Sequence, residues 1–110
     1  MNEVYDSHRI ASMVDEAYAR IRQYVQMTKL VRCNESKLWL KCENLQHTGS
    51  FKLRGALSKL SLLEKGQSVV TASTGNHGLG VVKAGEIFGM PVKVFLPKTA
   101  NPKKKEKLTN

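Results

Sequence analysis

The stretch that most constrains the fold runs from Ser68 to Pro97. Ser68-Val69-Val70-Thr71-Ala72 is a short β-rich run that leads directly into Ser73-Thr74-Gly75-Asn76-His77-Gly78. Leu79, Val82, Ala84, Ile87 and Phe88 then recur at helical spacing, Gly89 is placed to end that helix, and Pro91-Val92-Lys93-Val94-Phe95-Leu96-Pro97 is a second β-rich run. Strand, glycine-rich turn, helix and strand within about thirty residues make a βαβ unit. Its crossover is expected to be right-handed and its strands parallel. The fold class is therefore α/β. A parallel pair is normally buried on both faces, so two such strands do not form a covered sheet alone. No internal repeat completes it. The expectation is the front part of a larger α/β protein, with a swapped or dimeric arrangement as the alternative.

The preceding residues supply packing elements. Ile10, Met13, Val14, Ala17, Ile21 and Val25 form one apolar stripe at three- and four-residue steps, which predicts a packing helix. Asp6 or Ser7 is placed to cap it. Leu30 to Arg32 reads as a short strand, Asn34-Glu35-Ser36 as a turn, and Leu38 to Glu43 as a second strand, together a candidate hairpin. Leu38, Leu40 and Cys42 alternate with Trp39, Lys41 and Glu43, and Trp39 is expected to pack. After a polar connection from Asn44 to Ser50, the residues Phe51, Leu53, Ala56, Leu57, Leu60 and Leu63 predict a helix that Gly66 would stop. Near the end, Asn101 caps and Pro102 opens a further helix.

Composition excludes several function classes. A chain of 110 residues is one small domain in size, which buries roughly 60–70% of its unfolded surface. No apolar run is long enough to cross a bilayer, and Met1 to Asp6 holds no signal-peptide core, so a cytoplasmic location is expected. Cys33 and Cys42 form no CxxC pair and are expected as buried or half-buried thiols. With His8, His47 and His77 they offer no metal-ligand spacing. The net charge of +9 raises a nucleic-acid partner as a reading. Lys98, Lys103, Lys104, Lys105 and Lys107 crowd the end, however, and a lysine-rich terminal helix reads as a solvated face. No aromatic residues interleave there to stack bases.

Two stretches carry chemistry. In Thr48-Gly49-Ser50-Phe51-Lys52-Leu53-Arg54-Gly55-Ala56 a Gly-Ser turn sets Lys52 at the first turn of a helix, beside an aromatic residue. Unpaired N–H groups there carry partial positive charge, and positive surroundings disfavour an ammonium. An amine that must attack a carbonyl needs that help. In Ser73 to Gly78 the small residues let a bound group approach the backbone, and the helix start offers N–H groups to a carboxylate or phosphate. The same residues also suit a tight turn with ordinary caps, and His77 a capping role. The pattern is neither GxGxxG nor GxxxxGK[ST], which argues against dinucleotide and triphosphate sites.

The run Leu40-Lys41-Cys42-Glu43-Asn44-Leu45-Gln46-His47-Thr48-Gly49-Ser50-Phe51-Lys52-Leu53-Arg54-Gly55-Ala56 closely resembles the pyridoxal-phosphate lysine segment of the serine/threonine dehydratase family, which includes serine racemase. Ala72-Ser73-Thr74-Gly75-Asn76-His77-Gly78 is similar to the same family's substrate loop, at the expected distance downstream. The resemblance implies the second fold type of pyridoxal-phosphate enzymes, that of tryptophan synthase β. It implies that Lys52 holds the cofactor as a Schiff base and then moves the substrate's Cα proton. Phe51 would pack near the cofactor ring and Asn76 would hydrogen-bond its hydroxyl. Ser73, Thr74, Gly75, Asn76 and His77 would receive the substrate carboxylate, mostly through backbone N–H groups. The implied reaction removes water and ammonia from L-threonine or L-serine to give a keto acid. Thr74 occupies the position where racemase-like members carry a hydroxyl base, and it leaves racemisation open.

Two departures accompany the resemblance. Lys29 stands where a proline is usual. The chain also stops before the family's separate glycine-rich phosphate loop and before the residue that meets the pyridine nitrogen. The expectation is therefore that residues 1–66 open a large cofactor-binding domain and residues 67–110 open a smaller substrate domain. On this reading the chain alone is not a competent enzyme, and a complete protein would be a homo-oligomer. The alternatives are a noncatalytic interaction module that uses the incomplete sheet edge, and a basic nucleic-acid-binding module.

Overall fold

The computed structural model describes residues 6–34 and 37–109, with no side-chain account of residues 104 and 109. Glu35 and Ser36 of the expected turn and Met1 to Tyr5 of the amino terminus lie outside the described residues. The element order is α1 (Ser7–Ile21), a 3-10 turn (Arg22–Tyr24), β1 (Leu30–Arg32), β2 (Trp39–Lys41), a second 3-10 turn (Glu43–Leu45), α2 (Lys52–Leu60), β3 (Val69–Ala72), α3 (Asn76–Phe88), β4 (Val92–Phe95) and α4 (Pro102–Thr109). No helix among them is long and apolar enough to cross a membrane.

The βαβ unit forms as the sequence pattern dictates. β3 and β4 pair in parallel, with Val69 opposite Val92 and Ala72 opposite Phe95. The Val69 N–H donates to the Pro91 carbonyl at 2.8 Å, and the Ser73 N–H to the Phe95 carbonyl at 3.2 Å. The ladder thus continues into the loop that follows β3. Gly89 ends α3 at φ 65° in the left-handed region, as a C-terminal glycine does. Val69, Thr71, Val92 and Val94 are half-buried, whereas the alternate positions are exposed. Val70 and Phe95 on that outer face are 63% and 58% exposed.

The core lies between α2 and α3. Leu53, Ala56, Leu57 and Leu60 of α2 meet Val81 and Ala84 of α3, with Ile21 and Met90 closing the cluster. The face that α3 presents differs from the expected one. Its buried residues are Gly78, Gly80, Val81, Ala84 and Gly85, while Ile87 and Phe88 pack at the margin. A Cβ on Gly80 would stand 3.1 Å from the Lys52 carbonyl carbon and oxygen, and one on Gly85 would stand 2.9 Å from the Met90 carbonyl oxygen. At Gly80 the two helices therefore meet nearly backbone to backbone, and a larger side chain there would hold them apart.

Several local expectations are corrected. α1 starts at Ser7, capped by Asp6, whose Oδ1 accepts the His8 N–H at 3.1 Å. Its regular turns end at Ile21 rather than Val25. Ile21 is buried and Ala17 half-buried, but Ile10, Met13 and Val14 stay exposed, so only the C-terminal end of the stripe packs. Trp39 does not pack either and is 58% exposed, because both strands of the antiparallel β1–β2 hairpin face solvent. β2 is shorter than expected, and Glu43 opens a 3-10 turn instead of extending it. α2 ends at Leu60, before Gly66. The Ser61 hydroxyl donates to the Ser58 carbonyl at 2.8 Å, and single turns carry the chain on to Leu63. α3 begins at Asn76, so Asn76, His77 and Gly78 form its first turn. The Asn101 cap is present: its Oδ1 accepts the Lys103 N–H at 2.9 Å.

One polar network ties the first half together. Arg54 grips Glu43 with two parallel bonds, Nη2 to Oε1 at 2.7 Å and Nε to Oε2 at 2.9 Å. The Thr28 hydroxyl donates to the same Oε1 at 2.6 Å, and Arg54 Nη2 also donates to the Gln26 carbonyl at 3.2 Å. The buried Gln46 side chain bonds both the N–H and the carbonyl of Gln26. The side chains of Arg54 and Glu43 are 27% and 13% exposed, so solvent screens this pair less than a surface pair.

The glycine contacts make an opposed pair of predictions. Gly85→Ala is expected to destabilise by about 1–3 kcal/mol, since backbone must move to admit the methyl. Gly55→Ala, where nothing lies within 4 Å of the added atom, is expected to stabilise by about 0.5–1 kcal/mol through helix propensity. Denaturant midpoints of the two variants should fall on opposite sides of the parent.

Glu43 makes a pH prediction. Hydrogen bonding from Arg54 dominates, partial burial opposes it and Thr28 assists, and together they lower the carboxyl from 4.5 to about 2. The Arg54 guanidinium is raised by the same bond. The folded value lies below the unfolded one, so this contribution is complete above pH 4.5 and is lost as pH falls through about 2. It amounts to something on the order of 2–3 kcal/mol at neutral pH. Glu43→Gln should lower the thermal midpoint at neutral pH, and its gap from the parent should close in strong acid. A gap of constant size across that range would contradict the assignment.

Candidate active site

The site is built where α2 begins, beside the β3–α3 loop. Lys52 is the first residue of α2 and its side chain is exposed. The turn before it depends on Gly49, whose φ of 73° disfavours a side chain there. The buried Ser50 accepts the Lys52 N–H at 3.4 Å through Oγ, a long contact. Phe51 precedes the helix, exposed, with the Lys52 Nζ 5.2 Å from its ring centre. Behind Lys52 lies the Gly80 backbone contact, and two residues on Arg54 holds Glu43.

A cavity of about 450 Å³ opens at this point, lined by Phe51, Lys52, Gly55, Thr71 and His77 among others. Its volume falls within the range of small-molecule sites, roughly 300–1,000 Å³. The His77 Nε2 lies 3.2 Å from the Thr71 hydroxyl, so β3 fixes the ring. The cavity thus joins Phe51, Lys52 and His77 from the two separate sequence stretches.

The other expected site residues lie differently. Thr74, Gly75 and Asn76 line a separate cavity of about 110 Å³, with Leu79, Lys107 and Leu108. Ser73 acts as a local cap: its Oγ accepts the Gly78 N–H at 3.0 Å and the Gly75 N–H at 3.3 Å. Among the described residues, the N–H groups of Thr74, Asn76 and His77 make no hydrogen bond. They are the donors that this segment has available for an anion. No cluster of three or more His, Cys, Asp or Glu among the described residues is placed to hold a metal ion. Cys33 and Cys42 are free, half-buried thiols.

Three contributors escape a reading of the sequence. Thr71 reads only as a strand residue, although its two-residue alternation with Val69 places it on the face that meets α3. Gly80 leaves no signal, because a helical stripe is traced through side chains. Arg54 shows no partner, since Glu43 reads as part of a strand.

The chain is similar to known proteins over most of its length. The chain is 38% identical over 104 residues to the L-threonine ammonia-lyase of Geobacter sulfurreducens, a match covering 84% of this chain and 25% of that protein. Among solved structures it resembles the T.th. threonine deaminase, with a TM-score of 0.81, 37% identity, and coverage of 88% of this chain and 33% of that one. It also resembles maize serine racemase, with a TM-score of 0.80, 35% identity, and coverage of 89% and 32%. The chain therefore spans about a quarter to a third of the length of these proteins. These structures have the second fold type of pyridoxal-phosphate enzymes, and the parallel pair and the helices around it are a part of that fold. Residues 21–110 match the sequence profile of pyridoxal-phosphate dependent enzymes, and the chain belongs to that family.

Proposed function

We propose that this chain supplies the cofactor lysine and the carboxylate-receiving loop of a pyridoxal-phosphate-dependent ammonia-lyase acting on L-threonine or L-serine. The observation that carries the reading is the one cavity lined by both Lys52 and His77, contributed by the two motif stretches. The residues fit the aldehyde end of the cofactor. Lys52 lines the cavity with its amine 5.2 Å from the centre of the Phe51 ring, and nothing lies within 4 Å of a Cβ added at Gly55. Bound pyridoxal phosphate supplies an electron sink for the negative charge that develops at the substrate Cα.

The roles follow from position. The Lys52 Nζ would hold the cofactor at its aldehyde end, and the same amine would serve as the base for the substrate Cα proton. The free N–H groups of Thr74, Asn76 and His77 bind the substrate carboxylate at the start of α3, and Ser73 keeps that turn in shape. Phe51, which lines the Lys52 cavity, would shield the cofactor ring, and Asn76, which lines the smaller cavity, would hydrogen-bond the ring hydroxyl. Residues 1–66 are assigned to the cofactor-binding domain and residues 67–110 to the substrate domain, and the complete assembly is proposed to be a cytoplasmic homo-oligomer.

A second reading, an interaction module, draws support from the open β3–β4 face with Val70 and Phe95 exposed. Trapping separates the two. Pyridoxal phosphate is added, the mixture is reduced with borohydride, and the labelled peptides are mapped. Lys52 is expected to carry the stable pyridoxyl group ahead of the other lysines, and Lys52→Ala to lose it. Label spread over the exposed lysines with none enriched at Lys52 would sink the enzyme reading.

A further inference from the structure

We infer that the Arg54–Glu43 pair positions Lys52, by anchoring the first turn of α2 to the turn that follows β2, with Gln26 and Thr28 before β1 joined to the same network. The inference rests on the reading of Lys52 as the cofactor lysine. A helix start leaves N–H groups that a cap normally satisfies, and α2 has no side-chain cap in the usual place. Phe51 occupies that place, and the Ser50 contact to the Lys52 N–H is long, at 3.4 Å. The first turn is held instead through its third residue. Arg54 makes two parallel bonds to Glu43, and through the same Nη2 it donates to the Gln26 carbonyl. The Thr28 hydroxyl donates to the same Oε1 of the Glu43 carboxylate.

This arrangement sets direction as well as distance, because a guanidinium fork matches a carboxylate in a plane. On the opposite side, α3 presses the Gly80 backbone against the Lys52 carbonyl. The lysine backbone is thus fixed between two supports, while its amine forms no ion pair among the described residues and rests over Phe51. An amine attacking a carbonyl is sensitive to such support, since a misplacement of about 1 Å can cost roughly a hundredfold in rate.

The test compares two lysines of the same chain. The protein is exposed briefly to pyridoxal phosphate and reduced, and the label on Lys52 is divided by that on Lys65, which is exposed and outside the cavity. Arg54→Lys keeps the charge and loses the fork; Thr28→Val removes only the hydroxyl that steadies Glu43. Each is expected to lower the ratio, Arg54→Lys by about fivefold to tenfold and Thr28→Val by less, with the far-ultraviolet circular dichroism of the parent. A folded variant with the parent's ratio overturns the inference, as does an equal loss of label at both lysines. Loss of fold in both variants assigns the network a structural role and overturns it too. If the parent shows no preference for Lys52, the cofactor-lysine reading fails and this inference fails with it; a parental preference that the variants leave unchanged overturns this inference alone.

Discussion

The contact between α2 and α3 sets the geometry of everything that matters chemically. At Gly80 a helix with no side chain to spare meets the carbonyl of Lys52, and any Cβ there would stand 3.1 Å from that carbonyl. Helices usually pack 8–10 Å apart through their side chains, and glycine permits the close end of that range. The close approach brings the β3–α3 loop beside the start of α2. A single cavity can then draw on residues separated by more than twenty positions in the chain, Lys52 and His77. The core around it is small, with two fully buried leucines, Leu53 and Leu57. Truncating either to alanine would remove roughly 2–5 kcal/mol, a large share of what a domain of this size holds in reserve.

Much of this is legible in the residues. The βαβ unit is legible because a strand-length β-branched run, a glycine-bearing turn and a 3.6-residue period each have a different pattern, and all three agree. Lys52 at a helix start is legible from Gly49-Ser50 before it and the leucines after it. The glycine face of α3 is not, because periodicity is counted through apolar side chains, and Gly80 and Gly85 contribute none. The Glu43–Arg54 pair is hidden for another reason. Each residue taken singly reads as a surface charge, and their eleven-residue separation spans a turn and a loop, with no single periodic element to align them. Trp39 and the stripe of α1 show the converse limit. An apolar pattern states what a segment can bury, whereas burial also needs a partner surface, and the described residues leave Ile10, Met13 and Trp39 largely uncovered.

The same consideration bears on the sheet. β3 and β4 alternate half-buried and exposed along their length, so one face meets α3 and the other is open. Parallel sheets of this kind are covered on both sides, and the matched structures are about three times the length of this chain. Val70 and Phe95 stand where such a sheet would be covered. That face is mixed in character, with Lys93 opposite Val70 and Phe95 opposite Ala72.

The division of labour between the two motif stretches follows from their backbones. A helix starts at the β3–α3 loop, and Ser73 satisfies some of its N–H groups while leaving others free, which is what the proposed anion-binding role asks of it. Were every donor capped, the loop would be a stable turn and nothing more. α2 solves the opposite problem. In the role proposed for Lys52 its first residue presents an amine, and a small polar cap at Phe51 would stabilise the helix but take away the aromatic surface beside that amine. Moving the anchorage to Arg54 separates the two demands: the helix start is held by a charge pair, and Phe51 is left beside the Lys52 amine. An interior pair of this kind adds little stability beyond an apolar packing of the same volume. Its value here is directional, which is the property a lysine placed for attack on a carbonyl requires.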